Sequence, residues 1–175
     1  SKIVEGQTHI FPTDLTLEKG TMNVLLGPTL SGKTSLMRLM AGLDVPTTGQ
    51  VFWNGVDVTG QRVQDRKVAM VYQQFINYPS MSVYDNIASP LRLLGLKKAE
   101  IDKRVRETAA LMKLSQMLER KPLELSGGQQ QRCALARALV KDAGLVLLDE
   151  PLANLDYKLR EELRVEIPKI FESSG

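Results

Sequence analysis

Gly27-Pro28-Thr29-Leu30-Ser31-Gly32-Lys33-Thr34 is the stretch on which the reading of this sequence turns. It has the pattern G-x-x-x-x-G-K-[ST], with the apolar run Met22-Asn23-Val24-Leu25-Leu26 before it and Ser35-Leu36-Met37-Arg38-Leu39-Met40 after it. A strand-like run, a glycine-rich turn and a helix-like run in that order predict a phosphate-binding P-loop. Gly27 and Gly32 let the backbone curl until successive N–H groups face a β-phosphate, and the positive end of the helix adds to that field. Lys33 supplies a mobile charge for the β- and γ-phosphates, and Thr34 a hydroxyl oxygen for Mg²⁺. The candidate binding segment is therefore Gly27, Pro28, Thr29, Leu30, Ser31, Gly32, Lys33, Thr34 and Ser35. Taken alone, the pattern also fits a glycine-rich turn with a solvated lysine. The stretches downstream favour nucleotide.

The most apolar run, Leu145-Val146-Leu147-Leu148, delivers Asp149-Glu150-Pro151 at its carboxyl end. Two adjacent acids after a buried strand are costly without a cationic partner, and a P-loop holding Mg-ATP would provide one. Val68-Ala69-Met70-Val71-Tyr72 reads as another buried strand and ends on Gln73-Gln74, the end of a parallel strand where open α/β sheets place ligand contacts. Leu125-Ser126-Gly127-Gly128-Gln129 opens a helix running to about Lys141. Ser126 and Gln129 have the capping-box spacing, which sets Gly127 and Gly128 at a helix N-terminus open to an anion.

With 175 residues, 43% of them apolar, the chain can bury one core and carry a small appended lobe. The net charge of +3 comes from a basic excess in residues 97–121, which reads as a solvated helix face rather than a nucleic-acid surface. Cys133 is the single cysteine, so an internal disulfide is excluded. Its alanine-rich surroundings suit a small core residue, and a reducing cytosol is the natural setting. No apolar run reaches membrane-spanning length. Starting at Ser1 and ending on Ser173-Ser174-Gly175, the sequence reads as an excerpt of a longer protein.

Other expectations follow in chain order. Residues 1–20 alternate as short antiparallel strands, with His9 and Phe11 in sheet-packing roles rather than stacked on a base. Leu36, Leu39, Met40 and Leu43 form the buried stripe of the helix after the P-loop. Residues 51–58 form a hairpin turning at Asn54-Gly55. Residues 83–94 and 99–118 are helices, the second with the stripe Ile101, Val105, Ala109, Met112 and Leu114. A charged helix over 157–171 bends at Pro168.

In this order, Gly27 to Thr34, Gln73, Leu125 to Gln129, Leu147 to Glu150 and Asn154 to Asp156 resemble the nucleotide-binding subunit of ABC transporters. Val71-Tyr72-Gln73 and Tyr84-Asp85-Asn86-Ile87 look most like importers of sugars and polyols. The P-loop variant and residues 35–44 look most like the bacterial glycerol and sugar-alcohol branch. The resemblance implies an α/β P-loop NTPase of ABC type, with a mostly parallel core sheet, an antiparallel β subdomain and a small helical lobe. It would be a single incomplete domain: core 1–82, helical lobe 83–124, and 125–175 with the signature helix, Walker B strand and D-loop.

The resemblance also implies roles. Asp149 is similar to the Walker B aspartate of the Mg²⁺ shell, and Glu150 to the general base for the attacking water. Gln73 resembles the Q-loop glutamine, touching Mg²⁺ or water. Ser126, Gly127, Gly128 and Gln129 resemble the signature motif, which contacts ATP held by the opposite subunit of a head-to-tail dimer. The implied partners are that second ATPase subunit, transmembrane permease subunits and, indirectly, a solute-binding protein. Nucleic acid is not expected, and the expected place is the cytoplasmic face of the cell membrane. Residues 75–82, with Phe75, Tyr78 and Pro79, are expected to pass motion to the membrane partner.

Three departures accompany the resemblance. The adenine-stacking place falls near Val4, which is not aromatic, Ala153 stands where serine is common, and the switch histidine would lie beyond Gly175, as would a regulatory domain. Two other readings stay open: a non-transport ABC ATPase acting on DNA or the ribosome, and a nucleotide-binding fragment unable to hydrolyse ATP. The sequence does not name the solute.

Overall fold

The structure is a computed structural model that describes residues 1–72, 76–153 and 156–173. The chain divides into two compact units, Ser1–Val68 and Ala69–Gly175.

The first unit opens with a hairpin of β1 (Lys2–Val4) and β2 (Gln7–Ile10), paired antiparallel through Val4 with Gln7 and Ile3 with Thr8. Its two-residue turn places Glu5 at φ 49° and Gly6 at φ 79°, a combination that matches the twist of the flanking strands. His9 is exposed and Phe11 is 70% exposed, so neither has the packing role expected of it. The strand expected over residues 22–26 is not formed. Met22 is 54%, Val24 73% and Leu26 90% exposed, and no strand of this unit lies beside them. An apolar run becomes a strand only where another strand completes its hydrogen-bond ladder, and the strands of this unit pair only within their own short hairpins.

Helix α1 (Lys33–Ala41) buries Met37, Leu39 and Ala41, while Leu36, Met40 and Leu43 of the expected stripe are half-buried. It ends at Gly42, whose φ of 78° suits a glycine C-terminal turn. Arg66 covers that end. Its guanidinium donates to the carbonyls of Leu39 and Met40 at 3.2 and 3.1 Å and to that of Val58 at 2.5 Å. A cation is favoured at the negative end of a helix, and burial shifts the Arg66 pKa down. A Cβ on Gly42 would lie 2.5 Å from Arg66 Nε. The second hairpin, β3 (Phe52–Trp53) and β4 (Val56–Asp57), turns at Asn54 and Gly55 as expected, both with positive φ.

The second unit is built around β5 (Val68–Val71), which starts at its boundary, and β6 (Leu145–Leu148). The N–H of Asp149, just past β6, donates to the carbonyl of Val71 at the end of β5. Their carboxyl ends therefore lie side by side, and the strands run parallel. Such a pair needs a long crossover, supplied here by α2 (Val83–Leu93), α3 (Lys98–Leu111) and α4 (Gly127–Leu139). Ile101, Val105, Ala109, Met112 and Leu114, the stripe read from sequence, are all buried. Helix α3 is shorter than expected because Lys113 takes φ 55°, turning the chain so that Leu114 still points inward.

Helix α5 (Tyr157–Ser173) adds Leu163, Ile167 and Ile170 to the same core. Residues of the helices over 83–124 share one apolar cluster with residues of 125–175. Cys133 lies inside it, fully buried, and desolvation pushes its thiol up to about 11. It is the inert core residue expected.

Candidate functional site

Residues 27–34 close around their own lysine. Lys33 is the first residue of α1, and its ammonium turns back to donate to the carbonyls of Gly27 and Pro28, each at 2.9 Å. The N–H of Ser31 donates to Pro28 O at 3.2 Å, completing a turn inside the loop. Leu30 sits at φ 66° and is 98% exposed, so the loop is shaped by its backbone.

Glycine is required at the helix end of that loop. Gly32 has φ 90°, and a Cβ there would fall 2.8 Å from both His9 O and Ile10 Cδ1. A Cβ on Gly27 would meet Ser31 Oγ at 2.6 Å. The Gly32 position is closed to a side chain, whereas the Ser31 hydroxyl beside Gly27 is exposed and can turn away. Gly32 caps α1 without a side-chain bond, and the start of a helix is where backbone N–H groups and the helix dipole favour an anion. Thr34 is exposed and Ser35 half-buried beside it.

In the second unit, β6 brings Asp149 and Glu150 out of the core. Asp149 is only 7% exposed and Glu150 is exposed. Glu150 adopts φ 46°, a left-handed conformation unusual for a side-chain-bearing residue. The turn is held by Asp149 N–H to Val71 O at 2.9 Å and Ala153 N–H to Glu150 O at 3.1 Å. A third bond comes from Gln131 of α4, whose Nε2 donates to Pro151 O. Glu150, Pro151, Leu152, Ala153 and Arg160 line a shallow cleft.

The start of α4 is as its sequence requires. Ser126 is the N-cap, its Oγ accepting from Gln129 N–H at 3.3 Å, while Gln129 Oε1 accepts from Ser126 N–H at 3.0 Å. Gly127 is exposed, with open space where a Cβ would stand, and Gly128 is buried. Gln73, Gln74, Phe75, Asn154 and Leu155 lie outside the described residues. Asp156 is exposed ahead of α5.

Sequence reasoning missed the residues that tie residues 76–82 to the helices. Asn77 Nδ2 donates to Gln130 O at 2.8 Å. Arg137 donates to Ile76 O, and its guanidinium lies 4.2 Å from the centre of the Tyr78 ring. Asn86, fully buried, accepts from Tyr78 N–H and donates toward the carbonyls of Tyr78, Met81 and Ser82. The only available signal was a polar residue on the apolar face of a helix.

Among the described residues, no group of three or more His, Cys, Asp or Glu could hold a metal. Mg²⁺ takes few protein ligands and completes its shell with phosphate oxygens and water. Single oxygens such as Thr34 Oγ1 and the Asp149 carboxylate suit that demand.

Residues 10–153 match the family model described as ABC transporter. The chain belongs to that family. Among curated relatives of this ABC protein, the sn-glycerol-3-phosphate import ATP-binding protein UgpC of Pectobacterium atrosepticum is 42% identical over 98% of the chain and 48% of its own length. The trehalose/maltose import ATP-binding protein MalK of Thermococcus litoralis is 44% identical over 99% and 48%. The multiple sugar-binding transport ATP-binding protein MsmK of Streptococcus mutans is 47% identical over 93% and 43%. The chain spans about half the length of these curated relatives.

The fold is also that of a solved ATP-binding cassette. The dimeric post-hydrolysis state of MJ0796 bound to ADP and Pi aligns with a TM-score of 0.70 and 31% identity, over 85% of this chain and 68% of that one. The chain is therefore an α/β ABC-type P-loop domain. No helix among its described residues is long and apolar enough to cross a membrane.

Proposed function

We propose that this ABC chain is one incomplete nucleotide-binding domain, residues 1–175, of an ATP-hydrolysing subunit that powers import of a sugar, glycerol or a related polyol. The observation that carries the reading is the Lys33 ammonium, turned into the curl of residues 27–34 and bonded to two of its carbonyls. That places a mobile cation where a phosphate chain can replace the carbonyls as its partner. The named import ATP-binding proteins support the transport half of the proposal.

In this reading the N–H groups of Gly27 to Ser35 cradle the phosphates, and Lys33 draws them into place. Thr34, Gln73 and Asp149 hold Mg²⁺, which when bound neutralises charge on the β- and γ-phosphates. Glu150 takes a proton from the attacking water, and Gln73 orients that water. Ser126, Gly127, Gly128 and Gln129 contact the nucleotide of a second, head-to-tail subunit, giving two composite sites under two-fold symmetry. Closure on ATP and opening after hydrolysis move permease subunits fed by a solute-binding protein. The domain then works at the cytoplasmic face of the membrane.

The deciding measurement is the mass in solution of Glu150→Gln, with and without Mg-ATP, by light scattering. Removing the base should slow hydrolysis about 10²- to 10⁴-fold and trap a dimer that forms only with ATP. Hydrolysis at the wild-type rate would refute the role of Glu150. ATP bound by a persistent monomer would refute the composite site.

A further inference from the structure

Glu150 bears its carboxylate on a backbone that must be held in place. Its φ of 46° is unfavourable in a residue with a side chain and persists only where surrounding contacts enforce it. Backbone bonds of the turn and strand, made by Asp149 and Ala153, contribute to that hold. A side chain from another element, Gln131, contributes as well.

Gln131 is fully buried in α4, and its Nε2 donates to Pro151 O, one residue past Glu150. The amide orientation is forced, because a carbonyl oxygen can only accept. The other end, Oε1, is buried and finds no donor among the described residues. A buried acceptor left unpaired is destabilising, because it gives up its bond to water and gains none in return. An apolar side chain of the same size would avoid that cost, so the packing of α4 does not by itself call for an amide here. What the amide adds is the bond to the turn.

The same helix starts at Ser126 and Gly127, and its neighbour Gln130 accepts from Asn77 of residues 76–82. Gln131 therefore joins the turn bearing Glu150 to a helix that also holds the loop following Gln73. We infer that Gln131 is a positioning residue for hydrolysis, fixing the direction of the Glu150 carboxylate from the signature helix. The inference rests on the proposed role of Glu150 as base. Gln131 touches no substrate and acts through the turn.

The test uses the full-length protein and compares Mg-ATP affinity with turnover. Gln131→Leu keeps the volume and removes the donor. It should lower kcat about 10-fold, within the loss that a shift of about 1 Å can impose on a reacting group, while Mg-ATP affinity changes less than about twofold. Equal kcat in Gln131→Leu and wild type, with Glu150→Gln inactive, would overturn the positioning role and leave the ATPase reading intact. Full activity in Glu150→Gln would instead remove the reading on which the inference rests.

Gln131→Glu decides the matter should the leucine variant fail to fold. A protonated glutamic acid can donate to Pro151 O and a carboxylate cannot, and burial raises the pKa of such a group toward neutrality. Turnover of Gln131→Glu relative to wild type should therefore rise severalfold as pH falls from about 8 to about 6. A flat ratio would overturn the inference.

Discussion

The loop at residues 27–34 and the turn at residues 149–153 serve one nucleotide in the proposed function, yet they are held in opposite ways. The loop is closed by bonds that span five and six residues, from Lys33 to Pro28 and Gly27, and its side chains are largely exposed. The turn is held by groups far away in sequence, Val71 on β5 and Gln131 on α4, and Asp149 is nearly buried. A phosphate cradle needs only backbone N–H groups and one charge, which a few adjacent residues supply. A general base needs a fixed direction, and direction comes from packed elements.

The contrast can be broken most severely at Asn86. This buried amide bonds four backbone groups between Tyr78 and Ser82. Asn86→Ala removes the side-chain partner of Tyr78 N–H and Met81 O, while Tyr78 O and Ser82 O keep the backbone N–H groups of Met81 and residue 86. It should destabilise the second unit by about 2–4 kcal/mol, read as a lower urea midpoint. An unchanged midpoint would mean that residues 76–82 are not anchored through α2.

Lys33→Ala tests the local side. Mg-ATP affinity should fall about 10- to 100-fold, the value of a charge-assisted bond, by fluorescence titration with a labelled nucleotide. The urea midpoint should stay close to wild type, because the two carbonyls that the ammonium bonds belong to its own loop and are exposed to water. A large loss of stability would show that the loop depends on more than local bonds.

The smallest effect concerns acid. Glu166 on α5 is held below its ordinary pKa, first by the hydrogen bond from Lys113 and also by the charge of Arg132, which lies 2.7 Å away in an ionic contact. A depressed carboxyl pKa adds stability that is complete above the unfolded-state value, about 4.3, and is lost as pH falls through the lower folded value. Lys113 is 67% exposed, so solvent screens the pair. Glu166→Gln should cost under about 1 kcal/mol near neutral pH and nothing at the acid end of a pH series of unfolding curves. An equal deficit at both ends would place the effect in packing instead.

Several features of the second unit were legible because they are periodic or local. The stripe from Ile101 to Leu114 is buried as its spacing required, and Ser126 and Gln129 form the capping box their separation predicts. The end of α3 was misread because Lys113 turns left-handed, a choice that burying Leu114 decides and that a helical stripe cannot reveal. Residues 22–26 have strand composition, yet a strand is a property of two segments, and nothing in this unit pairs with them. Arg137 and Gln131 act on partners 61 and 20 residues away, distances at which sequence spacing carries no signal, and Asn86 on backbone groups four to eight residues before it, in a stretch without periodicity.

By itself the sequence determined the elements on which the proposed chemistry rests: a glycine-bounded lysine and hydroxyl, a capped helix opening on two glycines, and two acids after an apolar strand. Each is written in consecutive residues, because backbone curl, capping and strand exit are short-range events. Tertiary structure alone decided how those acids are aimed, which amide steadies their turn and which apolar run remains exposed. These depend on what lies across the gap between elements, and that is settled only when the elements pack.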